Sequence, residues 1–438
     1  MATPRPAGRP NILFILADDM GYADLGCYGR RDYATPRLDR LAAEGVRLTQ
    51  GYANSAVCSA TRTGLITGRY QYRLRCGLDE PLGADADLGL PPGLPTLPSL
   101  LAGLGYRTSL VGKWHLGQPL KYGPLKSGYQ HFFGFHQGGA DYFSHRLSLQ
   151  ATAPFDGLYD GDRAVEAHGY LTDLLADRAV AEMAAAAQDR TPFFLSLHFN
   201  APHWPWEGPG DEAVSRALTD VDHKDGGSIA VYGRMVASLD ANVGRVLDAL
   251  ERLGAAQDTI VVFTSDNGGE RFSDTWPFIG VKGELLEGGL RVPLLVRWPG
   301  RIAPGSASEQ VMISMDWLPT LLAAAGGRPD PKSPPDGEDL LEVLTGQAGA
   351  RPRRLFWRYK ANEQAAVRDG DWKYLKLGGK EHLFDLAADQ RERAELKARH
   401  PEVFARLKAE YAAWDAGMLP YPAKPYSYDV KGALADRY

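Results

Sequence analysis

Apolar residues along this chain gather in short, unbroken runs that stop at polar residues. Residues 11–17 (NILFILA) end at Asp18-Asp19, and 259–264 (TIVVFT) run into Ser265-Asp266-Asn267. Residues 106–112 (YRTSLVG) and 192–199 (PFFLSLHF) have the same character. Runs of this length without alternation predict strands buried on both faces. Leu294–Arg297 and Gln310–Ile313 read as further strand. Between the runs the spacing turns helical. Leu38, Leu41, Ala42 and Val46 predict a helix over 36–49. Met235, Leu239, Val243, Val246 and Leu250 predict another over 232–253, and Asp316–Ala325 a third. Buried strands alternating with helices define an α/β fold, a large mostly parallel or mixed sheet sandwiched by helices. In such sheets functional groups gather at the C-terminal strand ends.

The stretch 326–354 is rich in glycine, proline and charge and reads as a boundary. A main domain over 10–345 is expected to precede a small C-terminal α+β subdomain over 350–438. In that subdomain, short strand-like pieces within 355–376 predict a small antiparallel sheet, and 389–416 a charged amphipathic helix. No internal repeat or low-complexity tract is present.

Composition narrows the function classes. The 438 residues carry 49 Lys and Arg against 54 Asp and Glu, a net charge of -5. That balance argues against a nucleic-acid partner, which calls for a basic surface. The three cysteines, Cys27, Cys58 and Cys76, cannot all pair and show no metal-binding spacing. The polar, proline-rich residues 1–10 precede an apolar run too short for a signal sequence, and no run is long enough to span a membrane. The expectation is a cytoplasmic protein with reduced thiols and no membrane partner.

Candidate chemistry begins with two oxygen-rich dipeptides, Asp18-Asp19 and Asp266-Asn267, each following a predicted strand. Converging, they suit a hard cation, Ca2+ or Mg2+, better than Zn2+. Singly, each also fits a plain structural part: Asp18 as a helix cap, Asp266-Asn267-Gly268-Gly269 as a turn. In the run Cys58-Ser59-Ala60-Thr61-Arg62, a helix opening at Cys58 puts Arg62 one turn on, so helix N-terminus and guanidinium together favour negative charge at position 58. A lone cysteine equally serves as a small buried apolar residue.

The run CSATRTGLITGR (58–69) resembles the signature of the type I sulfatases, in which the first residue of C-x-P/A-x-R becomes formylglycine; Ala60 stands where proline is commoner. GYRTSLVGKWHLG (105–117) is similar to the family's second signature. NILFILADDMG, FNAPHWP (199–205), SDNGG (265–269) and KGELLEGGLRVP (282–293) also look like sulfatase segments, in the family's order across roughly residues 10–300. The resemblance implies an alkaline-phosphatase-like fold and a divalent metal, Ca2+ ahead of Mg2+, held by Asp18, Asp19, Asp266, Asn267 and the modified Cys58. It implies catalytic parts for Cys58, Arg62, Lys113, His115, His203 and Lys282, and a formylglycine-generating maturation enzyme as a partner. His198 competes with His203, but lies inside a predicted strand and reads as structural. By formal count the metal-loaded inner site is about +2, suited to an anionic ester.

The implied reaction is attack of the aldehyde hydrate on sulfur. Asp266 takes the first proton, His203 with Lys282 protonates the leaving oxygen, and His115 helps expel sulfate. A phosphonate or phosphate ester hydrolase using the same nucleophile is the nearest alternative, and a non-catalytic sulfated-glycan binder the next. Aromatic segments 129–146 and 203–207 are expected as loops lining the leaving-group pocket. The segment pattern is closest to bacterial sulfatases related to N-acetylgalactosamine-6-sulfatase, which points to a carbohydrate or aryl sulfate. HLFDLAAD (382–389) before the charged helix also resembles that group.

Overall fold

The computed structural model of the chain describes residues 8–83, 87–147, 156–218 and 226–429. Residues 430–438 of the expected C-terminal subdomain lie outside the described residues. In chain order the main sheet contains β1 (Asn11–Ala17), β2 (Val46–Tyr52), β3 (Arg107–Lys113), β4 (His131–Phe135), β5 (Leu158–Asp160), β6 (Arg163–Val165), β7 (Phe193–His198), β8 (Thr259–Ser265), β9 (Arg291–Arg297), β10 (Ser306–Ser308) and β11 (Met312–Ile313). They lie side by side as β10-β2-β9-β8-β1-β7-β3-β4-β5-β6, with β11 also on β2. The five central strands, β8 through β4, are parallel. Antiparallel β9 and the β5-β6 pair flank them.

Every residue of β1 is buried. Leu13, Ile15 and Ala17 pack in one core with helices Pro36–Ala43, Leu171–Gln188 and Ile229–Arg252. Ile12, Phe14 and Leu16 pack in the opposite core with helices Cys58–Thr67, Leu97–Gly103 and Trp317–Ala324. The two-residue period of the strand sends alternate side chains to opposite helix layers. An uninterrupted apolar run is therefore what this position requires. Among the described residues, no helix is long and apolar enough to cross a membrane.

Several expectations are corrected. The helix expected over 36–49 stops at Ala43, and Val46 opens β2 instead. At Gly45 an added Cβ would lie 2.2 Å from the Val296 carbonyl oxygen. The backbone must press against β9 there, and strand pairing overrides the helical spacing of Val46. The strand expected over 310–313 narrows to Met312–Ile313. Residues 129–146 are not all loop: β4 adds in parallel to β3. The helix expected over 389–416 spans only Pro401–Asp415. Upstream, the Asp389 carboxylate accepts hydrogen bonds from the backbone of Arg391, Arg393 and Ala394, holding a turn that competes with helix.

The second sheet is antiparallel: β12 (Arg354–Tyr359), β13 (Gln364–Asp369), β14 (Trp372–Leu377) and β15 (Lys380–Asp385). One face, with Val367, Tyr374 and Leu383, packs on Leu407 of the helix Pro401–Asp415. The other, with Leu355, Trp357, Ala366 and Leu375, shares a core with Tyr52, Val57 and Ala60. The small sheet thus backs the start of the helix Cys58–Thr67.

A buried ionic staple joins the two sheets. Lys373 Nζ lies 2.8 Å from Glu287 Oε1 and 2.8 Å from Glu392 Oε1, all inaccessible to solvent. Removing the ammonium leaves Glu392 buried without a cation and Glu287 with Arg291 alone, 3.4 Å away. Lys373→Met is expected to lower the unfolding free energy by about 3 kcal/mol in urea denaturation. The loss should be smaller at pH 5 than at pH 8, because protonating the stranded Glu392, already pushed up to about 7 by burial, relieves it.

Candidate active site

The register of the parallel strands assembles the site. β1 and β8 pair with Ala17 opposite Ser265, so Asp18 and Asp266 leave the sheet side by side. On the other flank β7 pairs with β1, Leu16 opposite His198, and β3 pairs with β7, Gly112 opposite His198. Four neighbouring strand ends therefore deliver Asp266-Asn267, Asp18-Asp19, the segment carrying His203, and Lys113 with His115. Gly112 has φ +113°, and a Cβ there would stand 1.8 Å from the His198 carbonyl oxygen. Only glycine permits this approach of β3 to β7.

The fifth contribution comes from the helix Cys58–Thr67, buried along its whole length. Its first residue points at the strand ends: Cys58 Sγ lies 3.5 Å from Asp18 Oδ1 and 3.8 Å from Asp19 Oδ1. Arg62, one turn on, places Nη2 2.8 Å from Asp266 Oδ2 and Nε 3.0 Å from the same oxygen. Lys113 Nζ is 2.5 Å from Asp18 Oδ2, and Lys282 Nζ 2.6 Å from Asp19 Oδ2. Each buried carboxylate has its own cation. The three pairs are formally neutral together, which makes this much buried charge tolerable.

Burial pushes the Asp18 carboxyl up to about 8; Lys113 opposes the shift, while Asp266 and Asp19 add to it. For Asp19 burial acts in the same direction, but Lys282, His203 and Lys113 outweigh it and hold the carboxyl well below the usual range. Burial pushes the Cys58 thiol far up, so this residue as a plain thiol is a poor nucleophile.

Asp18, Asp19, Cys58 and His203 offer ligand atoms that all lie within 4.8 Å of one another. Asn267 donates from Nδ2 to Asp19 Oδ1 at 2.7 Å, while its Oδ1 is buried with no hydrogen-bond partner. Two convergent carboxylates, a third on Asp266 that accepts from the Asp19 amide beside them, and an orphaned amide oxygen are donors suited to a hard divalent cation, so the residues fit the metal that the fold implies.

The histidines divide by what they touch. His115 Nε2 lies 3.0 Å from the Leu82 carbonyl oxygen. A carbonyl only accepts, so Nε2 carries the proton and Nδ1, buried without a partner, is left as a base. His203 Nδ1 lies 2.6 Å from the Trp204 carbonyl oxygen and by the same logic carries the proton. Its Nε2 stands 3.6 Å from Asp19 Oδ2, the oxygen Lys282 also reaches. Burial, with nearby cations, holds both imidazoles well below their ordinary range and therefore neutral. His198 sits beneath the site, its Nδ1 3.2 Å from Arg62 Nη1, in a supporting place.

All the residues singled out from the sequence come together here. Others had escaped notice. Gly138 approaches the His115 ring so closely that a Cβ would stand 2.7 Å from Cε1. The Gly138-Gly139 pair amid aromatic residues was a legible sign of such an approach. The Leu82 carbonyl left no sign, because any residue presents one.

A sandwich sheet whose strand ends join a cation site to a ring of basic groups is built for a tetrahedral oxyanion. The sulfatase family model matches residues 10–327, and a model for the C-terminal part of N-sulphoglucosamine sulphohydrolase matches 282–414. The chain belongs to the sulfatase family, whose members are sulfuric ester hydrolases. It is 31% identical to the steryl-sulfatase of Mus musculus, covering 96% of this chain and 85% of that protein. It is 34% identical to the N-acetylgalactosamine-6-sulfatase of Sus scrofa, with 84% and 72% covered. The crystal structure of Ps i-CgsB matches with a TM-score of 0.86 at 29% identity, covering 96% of this chain and 95% of that one. That protein has also been solved in complex with k-i-k-neocarrahexaose.

The Asp18 shift carries a pH signature. With a folded value near 8 and an unfolded value of about 4, the folded chain retains a proton that the unfolded chain has released. The Asp18 contribution to the stability of ion-free protein therefore falls as pH rises from about 4 to about 8. Chelator-treated wild type is expected to lose more melting temperature between pH 5 and pH 8 than Asp18→Asn. An added divalent cation should restore the wild type and not the variant.

Proposed function

We propose that this sulfatase cleaves a sulfate monoester of a carbohydrate or aryl alcohol, with Cys58 as the precursor of a formylglycine nucleophile and Ca2+ as the resident ion. The observation that carries the reading is the convergence of Cys58, at a buried helix N-terminus, on the carboxylates of Asp18 and Asp19. The sugar-bound structure of Ps i-CgsB and the likeness to N-acetylgalactosamine-6-sulfatase support the carbohydrate class.

Asp18, Asp19, Asp266 and Asn267 would hold the ion, with position 58 as a further contact. An oxygen donor set of this size suits Ca2+ better than Mg2+, which keeps more of its water. Bound there, the ion supplies a Lewis acid beside residue 58, and the hydrated aldehyde supplies two hydroxyls on one carbon. The chain's own groups then divide the work. Asp266 accepts the first proton from position 58. Arg62, Lys113 and Lys282 face the charge that grows on the transferred group. His203 and Lys282 meet at Asp19 Oδ2, and together they bring a proton to the leaving oxygen; His203, neutral at rest with Nε2 bare, passes it on from the ammonium. His115, with Nδ1 free of any partner, takes the proton from the second hydroxyl as sulfate departs.

Cys58 is 1% exposed. The maturation enzyme therefore acts before the helix Cys58–Thr67 is packed, on an extended segment.

This division of labour predicts a leaving-group test. His203→Ala should cut kcat/KM for an alkyl or sugar sulfate by about 10²–10⁴-fold, and far less for nitrophenyl sulfate, whose phenolate leaves without a proton, whereas Lys282→Ala, which also strips Asp19 of its cation, should lose activity on both. Equal losses of His203→Ala on both substrates contradict the assignment. Hydrolysis of phenylphosphonate esters faster than of any sulfate ester would replace the sulfatase reading with the phosphonate one.

A further inference from the structure

The C-terminal segment 421–429 leaves the small sheet and returns to the main domain, where it is strapped to one buried residue. Glu80 is fully buried. Its carboxylate accepts from Tyr421 Oη at 2.6 Å, Ser427 Oγ at 3.1 Å and the Lys360 amide at 2.8 Å. Its backbone makes a parallel bridge to the strap, with Glu80 N donating to Tyr426 O at 3.0 Å and Tyr428 N donating to Glu80 O at 2.6 Å. Glu80 serves no step of the mechanism above. Two residues on, Leu82 offers its carbonyl to His115 and its amide to Ser59 Oγ, so the segment that anchors the strap also borders the reaction centre.

What the strap delivers is Tyr428. Its ring lies with its face toward Lys282 Nζ, 5.8 Å from the centroid. Its hydroxyl donates to Glu270 Oε1 at 2.7 Å. Glu270 follows the metal-binding Asp266-Asn267 by a few residues. Both Tyr428 and Glu270 are only half-buried. The surface beside Lys282 is thus an aromatic face edged by a carboxylate. That pairing suits a sugar ring: the C–H face of a pyranose stacks on the aromatic ring, and the carboxylate accepts from its hydroxyls.

We propose that Tyr428 and Glu270 form a leaving-group subsite for a hydroxyl-bearing sugar, carried to the active site by the strap that Glu80 holds. The inference rests on the sulfatase reading and sharpens it to the sugar side of the scissile ester. Tyr428 and Glu270 contact the sugar and set specificity, while Glu80 acts through the strap as a positioning residue.

The test uses full-length protein, matured and loaded with Ca2+. Wild type, Tyr428→Phe, Tyr428→Ala, Glu270→Gln and Glu80→Gln are assayed with nitrophenyl sulfate and with a panel of hexose and N-acetylhexosamine monosulfates. Tyr428→Ala and Glu80→Gln are expected to raise KM for the best sugar sulfate about tenfold or more, with kcat and the nitrophenyl sulfate rate within about threefold of wild type. Tyr428→Phe, which keeps the ring, should stay within about threefold on both substrates. Glu270→Gln should weaken the sugar alone. Should Glu80→Gln fail to fold, the Tyr428 pair decides. Equal losses of Tyr428→Ala on both substrates would make the tyrosine a mere support for Lys282 and overturn the subsite. An unchanged KM overturns it too, as does a wild type that cleaves nitrophenyl sulfate but no sugar sulfate. A wild type that cleaves neither overturns the sulfatase reading itself.

Discussion

Three buried carboxylates, each matched by one buried cation, are the constraint on which this site depends. Asp18 with Lys113, Asp19 with Lys282 and Asp266 with Arg62 form pairs of 2.5 to 2.8 Å with almost no solvent contact. Singly, none of these charges belongs in the interior. With every carboxylate ionised the set is formally neutral, and that balance lets strand ends, a helix N-terminus and a loop converge in the interior. A divalent ion on the carboxylates shifts the balance by two positive charges. The cations then have less anion to neutralise, and the deficit is what an anionic ester fills. One arrangement therefore serves both folding and catalysis.

The fold makes that convergence available. Parallel pairing with Ala17 opposite Ser265 brings two acidic dipeptides, about 250 residues apart in the chain, to one edge of the sheet. The helix Cys58–Thr67 is held from both sides, by the core under β1 and by the small sheet through Trp357 and Leu355. The second sheet is thus part of the site's foundation. The strap through Glu80 extends the same dependence to Tyr428, beside Lys282.

Much of this was legible in the chain. The apolar runs of β1 and β8 end at the carboxylates. Cys58 and Arg62 were tied by helical spacing, and Lys113 and His115 by the resemblance of 105–117 to the family's second signature. What escaped depended on contacts that local pattern does not encode. Val46 fits a helical stripe, and only the press of Gly45 against β9 makes it strand. The turn at Asp389 is held by side-chain oxygens that a periodicity reading treats as a solvated helix face. Glu80 and Ser427 are 347 residues apart, and nothing in the neighbourhood of either announces the other.

The central claim is that the nucleophile is not Cys58 but what Cys58 becomes. Its thiol is buried and held in the protonated form, so activity must follow the modified fraction. Preparations expressed with graded amounts of maturation enzyme give chains converted to different extents, and peptide mass spectrometry measures the aldehyde at residue 58 in each. The initial rate on nitrophenyl sulfate per mole of protein should rise in proportion to that fraction and vanish where it is zero. Full activity from chains whose Cys58 is still a thiol would contradict the account.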